Sequence, residues 1–211
     1  MEEYRLITGP ETGLDVFIDV RFLSTEKCDH LVDCLERNIK LVAKDAPGNE
    51  FFDDRYLWIT SLPETEPKAK WFMQEARMRI CEILQRFYEE TEPIYSDTIQ
   101  LVKWWEGIEH TAHADNEHPD GSLHNTPFRD YAAVVYLNDD YEGGEFFIEP
   151  LKIMLRPEKG TMVCFRGDMS HMHGVKMVTK GLRYTMPSWY TKDIQHRDPS
   201  ELTITDPDSL S

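Results

Sequence analysis

The stretch DYAAVVYLNDDYEGGEFFIE, residues 130–149, decides the fold class. Its two ends are short runs rich in apolar, β-branched and aromatic residues, and its middle, residues 138–144, holds the Asn, Asp and Gly residues that favour a turn. The stretch therefore predicts two strands joined by a turn. Similar runs on either side predict eight short strands in all, at residues 97–105, 108–115, 130–137, 145–149, 151–155, 161–165, 171–178 and 182–190. Short strands at this spacing predict a sandwich or a barrel.

The part of the chain that precedes these strands is predicted to be mostly helical. Residues 14–22 alternate apolar and polar side chains, as a strand does, and Ser24 or Thr25 then caps a helix that runs to about residue 42. Apolar residues recur every three or four positions in a second helix over 66–90. Because the helices come before the strands, we expect a mainly β fold with flanking helices.

The length of 211 residues suits a single domain with one sizeable core. We expect one domain over residues 1–211, in which residues 14–90 support a β core at 97–190. Residues 192–211 are polar and include two Asp-Pro steps, so we expect this tail to be loosely held.

The charge of the chain excludes some classes of partner. The formal net charge is −16, and a field of this sign repels a polyphosphate strand or an anionic membrane surface. No apolar run is long enough to cross a membrane, and residues 1–5 lack the pattern of a secretory signal. We therefore expect no nucleic acid and no membrane as partner. A cytoplasmic location with reduced thiols is expected, because no CxxC pair occurs among Cys28, Cys34, Cys81 and Cys164.

One His-x-Asp pair is the main candidate for holding a metal ion. His113 and Asp115 are two positions apart on a predicted strand, so their side chains point to the same face. A second histidine from a distant strand would complete the two-His-one-carboxylate set, which leaves three positions open on Fe(II). His173, on the predicted strand at 171–178, is the candidate for that third ligand.

Other histidines are weaker candidates for the metal site. His118 and Asp120 also form a His-x-Asp pair, but Pro119 separates them in a predicted loop, where nothing directs both side chains to one face. His171 is two positions before His173 and is predicted to share its face of the strand.

An arginine follows the third candidate ligand on the next predicted strand. Arg183 is ten residues after His173, and a guanidinium can bind a carboxylate through two parallel hydrogen bonds. It would hold the far carboxylate of 2-oxoglutarate while the keto-acid end of that molecule chelates the iron. Thr185 points the same way and would add a hydroxyl donor. The combination of His-x-Asp with His-x9-Arg is far more specific than either motif alone.

Three segments carry a resemblance to a known family. They are HADN at 113–116, FRDYAAVVYLNDDYEGGEF at 128–146 and HGVKMVTKGLR at 173–183. This pattern resembles the prolyl-hydroxylase-type 2-oxoglutarate dioxygenases, and in particular the catalytic domain of the collagen prolyl 3-hydroxylases, the leprecan group. The resemblance is dense from Ile99 to Tyr190 and implies a double-stranded β-helix, a cupin-like jelly-roll core with flanking N-terminal helices.

The resemblance also implies roles for single residues. Tyr136 matches a tyrosine that hydrogen-bonds the carboxylate held by the arginine, and Trp189 matches a tryptophan of the cosubstrate pocket. Trp104 stands where related enzymes have a tyrosine, and it is a candidate either for framing a substrate cleft or for the core. Asn116 is a candidate either for contacting substrate or for capping its loop. The implied metal ligands are His113, Asp115 and His173, and the implied cosubstrate anchor is Arg183.

The resemblance implies an oxidoreductase that needs Fe(II), 2-oxoglutarate and O2, releases succinate and CO2, and has ascorbate as a candidate reductant. The expected reaction is hydroxylation of an unactivated C–H bond, most simply of a prolyl or similar residue in a peptide or protein. Two alternatives stay open: hydroxylation of a free amino acid or small metabolite, and a non-catalytic metal-binding jelly roll. The long polar segment at 117–128 is predicted to be a lid or substrate loop. The oligomeric state is left open.

Overall fold

The computed structural model describes residues 5–6, 15–41 and 55–210, and this part of the chain is mainly β with two α-helices. The helices are α1 (Thr25–Arg37) and α2 (Pro67–Phe87), and neither is long and apolar enough to span a bilayer. The strands, in chain order, are β1 (Arg5–Leu6), β2 (Phe17–Asp19), β3 (Tyr56–Trp58), β4 (Tyr95–Trp104), β5 (His110–His113), β6 (Tyr131–Tyr136), β7 (Glu142–Gly143), β8 (Phe146–Ile148), β9 (Ile153–Leu155), β10 (Met162–Arg166), β11 (His173–Val175), β12 (Val178–Lys180) and β13 (Arg183–Thr191).

The larger of two main sheets carries the helices on one of its faces. Its strand order is β2-β10-β6-β13-β4-β3, and the two longest strands, β4 and β13, are neighbours in it. Successive side chains of a strand point to opposite faces. Val135 of β6 and Met186 of β13 accordingly pack with Leu31 of α1 and Ile80 of α2, whereas Tyr136 packs on the opposite side.

The smaller sheet covers that opposite side. Its order is β1-β9-β8-β11-β5, and Ile148 and Leu155 of this sheet share an apolar cluster with Val163 and Phe165 of the larger one. The short strands β7 and β12 form a separate two-stranded pair. Two facing, mainly antiparallel sheets with helices outside form a double-stranded β-helix, so the predicted fold class is confirmed. A single domain over the whole of residues 1–211 stays a prediction.

The first helix begins as predicted and ends earlier. Ser24 is the N-cap, because its side-chain oxygen accepts a hydrogen bond from the backbone N–H of Lys27. The helix ends at Arg37 because Asn38 turns back on it, with its backbone N–H and its side-chain amide both donating to the carbonyl of Cys34. A 3-10 turn, Ile39–Leu41, follows.

The strand predicted over 171–178 is wrong in its first part. Residues Met169–His171 form a 3-10 turn, which is capped by the Asp168 side chain accepting from the backbone N–H of Ser170. His171 is buried and its Nε2 lies 3.1 Å from the backbone carbonyl oxygen of Asp15. His171 and His173 therefore do not share one face of a strand.

The expectation of a loosely held tail is also wrong for residues 198–204. Arg77, fully buried on α2, forms an ion pair of 3.0 Å with Asp198, and the guanidinium also donates to Ser200 Oγ. The backbone N–H of Asp198 donates to the carbonyl of Ser96 on β4. The polar composition of the tail misled the prediction, because several of these polar groups bond with buried groups of the protein.

We expect Asp198→Ala to lower the free energy of unfolding by about 3–5 kcal/mol, because it leaves the guanidinium of Arg77 buried without its counter-charge. Urea unfolding followed by circular dichroism measures this. The matched control is Glu82→Ala, which removes an ion pair to Arg86 whose side chains are 68% and 84% exposed, and its effect should stay within about 0.5 kcal/mol. Equal effects of the two substitutions would contradict the assignment.

Candidate metal and cosubstrate site

A cavity of about 530 Å³ lies between the two sheets. Its walls come from the inner faces of β4, β6 and β13 in the larger sheet and from β5, β8 and β11 in the smaller one. His113, Asp115, His173, Arg183 and Thr185 all line it. The residues predicted from separate stretches of sequence therefore face one space.

The three candidate ligands converge in this cavity. His113 ends β5, His173 begins β11, and the two residues are direct partners in the antiparallel ladder. Asp115 follows β5 and is held by its backbone N–H, which donates to the carbonyl of Gly167 at 2.8 Å. One ligand atom from each of the three side chains lies within 4.8 Å of the others, and this is the one such cluster of three or more among the described residues.

Hydrogen bonds orient both imidazoles toward a common point. Nδ1 of His113 lies 3.0 Å from the carbonyl oxygen of Thr111, and Nδ1 of His173 lies 3.1 Å from that of His171. When each Nδ1–H donates to its carbonyl, each Nε2 keeps a lone pair for a metal ion. Burial lowers the pKa of His173 to about 4, so this ring is neutral at pH 7 and able to bind a metal.

The carboxylate of Asp115 is oriented in the same way. Its Oδ1 accepts a hydrogen bond of 2.9 Å from the indole Nε1–H of Trp189. Its Oδ2 is buried, has no hydrogen-bond partner among the described residues and lies 3.9 Å from Nε2 of His173. A buried carboxylate oxygen without a donor is costly unless a cation takes that place. Two imidazole nitrogens and this oxygen are a donor set that suits Fe(II).

Arg183 lies at the inner end of the cavity, closely surrounded by other residues. It is only 1% exposed, and its guanidinium carbon lies 5.3 Å from the ring centre of Trp104 and 5.1 Å from that of Tyr136. A Cβ at Gly144 would come within 3.0 Å of Arg183 Cδ, so a larger residue there would displace the arginine. Burial raises the pKa of Tyr141, and the positive charge of the neighbouring Arg183 opposes the rise.

No acidic side chain of the described residues pairs with Arg183, and its Nε is buried without a hydrogen-bond partner there. A buried guanidinium without a counter-ion is unfavourable, so this end of the cavity fits a ligand carboxylate. Thr185, 2% exposed and two residues further on β13, lines the same cavity. The residues present thus fit a dicarboxylic keto acid that reaches from Arg183 to the metal.

The remaining predicted residues divide between the cavity and its surroundings. Trp104 is 6% exposed and lines the cavity beside Arg183, so it is both a core residue and a wall residue. Trp189 lines the cavity as well, with the guanidinium of Arg129 stacked on its ring. Asn116 does not line the cavity, and its side-chain amide donates to the carbonyl of Arg129, which supports the loop role and not the substrate role.

The weaker candidates lie outside the ligand cluster. Asp120 forms a local turn, accepting from both the backbone N–H and the hydroxyl of Ser122, and the ring of His118 contacts that of His124 at an angle of 48°, with ring centres 4.7 Å apart. His171 faces Asp15, as described above.

Sequence reasoning missed several residues in and around the cavity. His110 lines the wall, with its ring centre 4.1 Å from that of His113, and burial lowers its pKa to about 2. A register shift between β5 and β11 turns His110 inward, and no sequence signal marks that shift. Tyr141 lies in a predicted turn next to Arg183. Gln100 shares one face of β4 with Trp104, which the strand alternation could have shown.

We expect Trp189→Phe to weaken binding of a divalent metal by about 10- to 100-fold, because the ring stays but the donor to Asp115 Oδ1 is lost. Titration with Mn(II), followed by electron paramagnetic resonance, measures this. Trp71→Phe, on helix α2 away from the cavity, is the matched control and should leave the affinity unchanged. An unchanged affinity in Trp189→Phe would show that the hydrogen bond does not orient the carboxylate.

Comparison with known proteins agrees with this geometry. Residues 99–191 match the family model of the 2OG-Fe(II) oxygenase superfamily. The chain is 36% identical over 103 residues to prolyl 3-hydroxylase 2 of Homo sapiens, which covers 43% of this chain and 14% of that protein. It is 28% identical over 187 residues to prolyl 3-hydroxylase 1 of Mus musculus, which covers 76% of this chain and 25% of that protein. The chain thus spans a quarter or less of the length of these relatives.

Solved structures show the same fold. The viral collagen prolyl hydroxylase of Paramecium Bursaria Chlorella virus-1 has a TM-score of 0.65 at 19% identity, covering 85% of this chain and 96% of that one. A prolyl-4-hydroxylase of Pseudomonas putida has a TM-score of 0.62 at 14% identity, covering 85% of this chain and 93% of that one. Residues 99–191 of this chain thus match the model of the 2OG-Fe(II) oxygenase superfamily, its sequence relatives carry prolyl 3-hydroxylase names, and the solved structures share its fold.

Proposed function

We propose that this protein is an Fe(II)- and 2-oxoglutarate-dependent dioxygenase that hydroxylates a prolyl or similar residue of a peptide or protein. The observation that carries the proposal is a single cavity with two complementary features. Three ligand atoms converge at one place, and a buried guanidinium without a carboxylate partner among the described residues lies at the inner end. The sequence relatives that carry prolyl 3-hydroxylase names support the prolyl substrate.

The metal and the keto acid, when bound, supply the oxidising chemistry that turns O2 and a C–H bond into a hydroxyl group, with succinate and CO2 as coproducts. His113, Asp115 and His173 would hold the metal on one side and leave its other side open. The hydrogen bond from Trp189 holds Asp115 Oδ1, which would leave Oδ2 available to bind the metal. Arg183 would bind the far carboxylate, which fixes the orientation of the keto acid.

Apolar side chains keep water away from part of this space. The rings of Phe146 and Phe165 pack on His173, with ring centres 5.6 Å and 4.4 Å from that of the histidine. Such walls protect a reactive site from unproductive reactions with solvent. The loop at 117–128 adds His124 and Thr126 to the cavity rim, and Thr126 Oγ1 donates to the backbone carbonyl of Asp115. We propose that this loop contacts the substrate.

The alternatives lack comparable support. A non-catalytic metal-binding jelly roll would be expected to lack a ligand or the anchor, and the cavity holds all four residues. Hydroxylation of a free amino acid is distinguished from hydroxylation of a peptide by comparing free L-proline with blocked peptides as substrates. Dependence on ascorbate and a cytoplasmic location stay predictions from the sequence.

We expect the protein to give a visible metal-to-ligand charge-transfer band when Fe(II) and 2-oxoglutarate are added without oxygen. The variants His113→Ala, Asp115→Ala and His173→Ala should lose this band and lose at least about 100-fold in succinate formation, because each removes a metal ligand. His118→Ala and Asp120→Ala serve as controls and should keep both signals. Full turnover in all three ligand variants would refute the assignment.

We expect Arg183→Lys to raise the KM for 2-oxoglutarate by about tenfold or more, because an ammonium cannot form two parallel hydrogen bonds with a carboxylate. Metal binding should be unchanged, since Arg183 is not among the candidate ligands. Steady-state kinetics with 2-oxoglutarate as the varied reactant, together with Mn(II) titration, separate the two effects. A KM equal to that of the unmodified protein would exclude Arg183 as the anchor.

A further inference from the structure

One part of the cavity is used by neither the metal ligands nor the cosubstrate anchor. It is formed by side chains of β3 and of the first half of β4, and we call it the β3–β4 strip; its residues are Tyr56, Trp58, Thr98 and Gln100. Trp58 and Gln100 are partners in the ladder between these strands. Trp58 is 42% exposed and Gln100 is 7% exposed, so the strip leads from solvent into the cavity.

Gln100 carries the first argument. Its side chain is more than nine-tenths buried and lines the cavity, and its amide has no hydrogen-bond partner among the described residues. The buried Gln74, in contrast, donates to the carbonyl of Glu201 and accepts from Arg77. The amide atoms of Gln100 are not among the fully buried polar atoms without a partner, so they open onto the cavity and are available to hydrogen-bond a ligand that enters it.

The chemistry of that ligand follows from the amide itself. A glutamine side chain offers both a donor and an acceptor, which matches the N–H and C=O of a peptide group. No residue of the β3–β4 strip carries a charge. A free amino acid would bring an ammonium and a carboxylate, and neither would find a counter-charge on this strip.

The aromatic pair carries the second argument. The rings of Tyr56 and Trp58 are stacked, with centres 6.0 Å apart and an angle of 28° between their planes. Trp58 nevertheless keeps a large apolar surface exposed at the cavity rim. Such a surface binds apolar side chains or rings of a ligand by burying them, and it accepts different apolar side chains at that position.

We propose that Trp58 and Gln100 form a substrate subsite that binds the peptide segment flanking the residue to be hydroxylated. Gln100 hydrogen-bonds a backbone amide of that segment, and Trp58 packs on an adjacent apolar side chain. This inference rests on the proposed function and adds to it the two residues that bind the peptide beside the target residue. Trp58 and Gln100 are binding residues and take no part in holding the metal.

Three variants test the subsite. Gln100→Met keeps the length and the packing of the side chain but removes the amide donor and acceptor. Trp58→Ala removes the aromatic surface, and Trp58→Phe restores most of it. Trp105→Ala is the matched control, because Trp105 is 37% exposed, close to the exposure of Trp58, and does not line the cavity.

The substrate for these measurements comes from a library of terminally blocked heptapeptides with a central proline and randomised flanks, compared with free L-proline. The readouts are the KM for the peptide that yields most succinate, its Kd by fluorescence anisotropy on the Mn(II)- and 2-oxoglutarate-bound protein, and the Kd for 2-oxoglutarate. We expect Gln100→Met and Trp58→Ala each to weaken peptide binding about tenfold, because the first variant loses a hydrogen bond to the peptide and the second loses an apolar contact with it. The Kd for 2-oxoglutarate should stay within about twofold, Trp58→Phe should recover most of the affinity, and Trp105→Ala should change nothing.

Two results would overturn the subsite while leaving the proposed function in place. One is peptide binding that stays unchanged in both Gln100→Met and Trp58→Ala. The other is a matching loss of 2-oxoglutarate affinity, which would assign the strip to the cosubstrate. Free L-proline hydroxylated as well as the best peptide would instead overturn both the subsite and the peptide part of the proposed function. Failure of the proposed function gives a different result: the unmodified protein would show no charge-transfer band and no succinate with any probe.

Discussion

The antiparallel pairing of β5 with β11 is the constraint on which the site depends. It places His113 opposite His173 although sixty positions of sequence separate them, and it brings Asp115 to the same cavity. The close approach of these strands requires Gly174, because a Cβ there would lie 2.6 Å from the carbonyl oxygen of His110. A shift of one residue in this ladder would turn one histidine to the other face of the sheet and separate the ligands.

Buried charge without compensation is the second organising feature. The cavity contains a carboxylate oxygen and a guanidinium nitrogen that have no hydrogen-bond partner among the described residues. In the ion pair between Arg77 and Asp198, elsewhere in the interior, each charge has the other as its partner. A fold tolerates an uncompensated buried charge where a ligand completes it, since the cost of desolvation is then recovered on binding. The contrast is consistent with a structural role for the Arg77–Asp198 pair and a ligand-binding role for the cavity groups.

The positions of supporting residues show why part of the site could not be predicted. Trp189 could be assigned to the cavity wall, but its hydrogen bond to Asp115 depends on how β13 lies against the end of β5. His171 could be assigned to the face of His173 by spacing, and this assignment was wrong because the cap at Asp168 turns the chain before the strand begins. The spacing of two residues predicts whether their side chains share a face only when both lie in a regular strand. Turns at the ends of strands depend on local hydrogen bonds, which a pattern of residue types does not specify.

The amino-acid sequence by itself determined the fold class, most strand positions and the residues to be examined as a metal and carboxylate site. It could do so because strand alternation, turn residues and the His-x-Asp and His-x9-Arg spacings are local patterns. Only the tertiary structure decided that these patterns meet in one cavity, that Arg183 is enclosed by Trp104 and Tyr136, and that Gln100 and Trp58 form a separate strip of its wall. These facts depend on the register of strands that are distant in sequence, and register is a property of the assembled sheets, which no single segment contains.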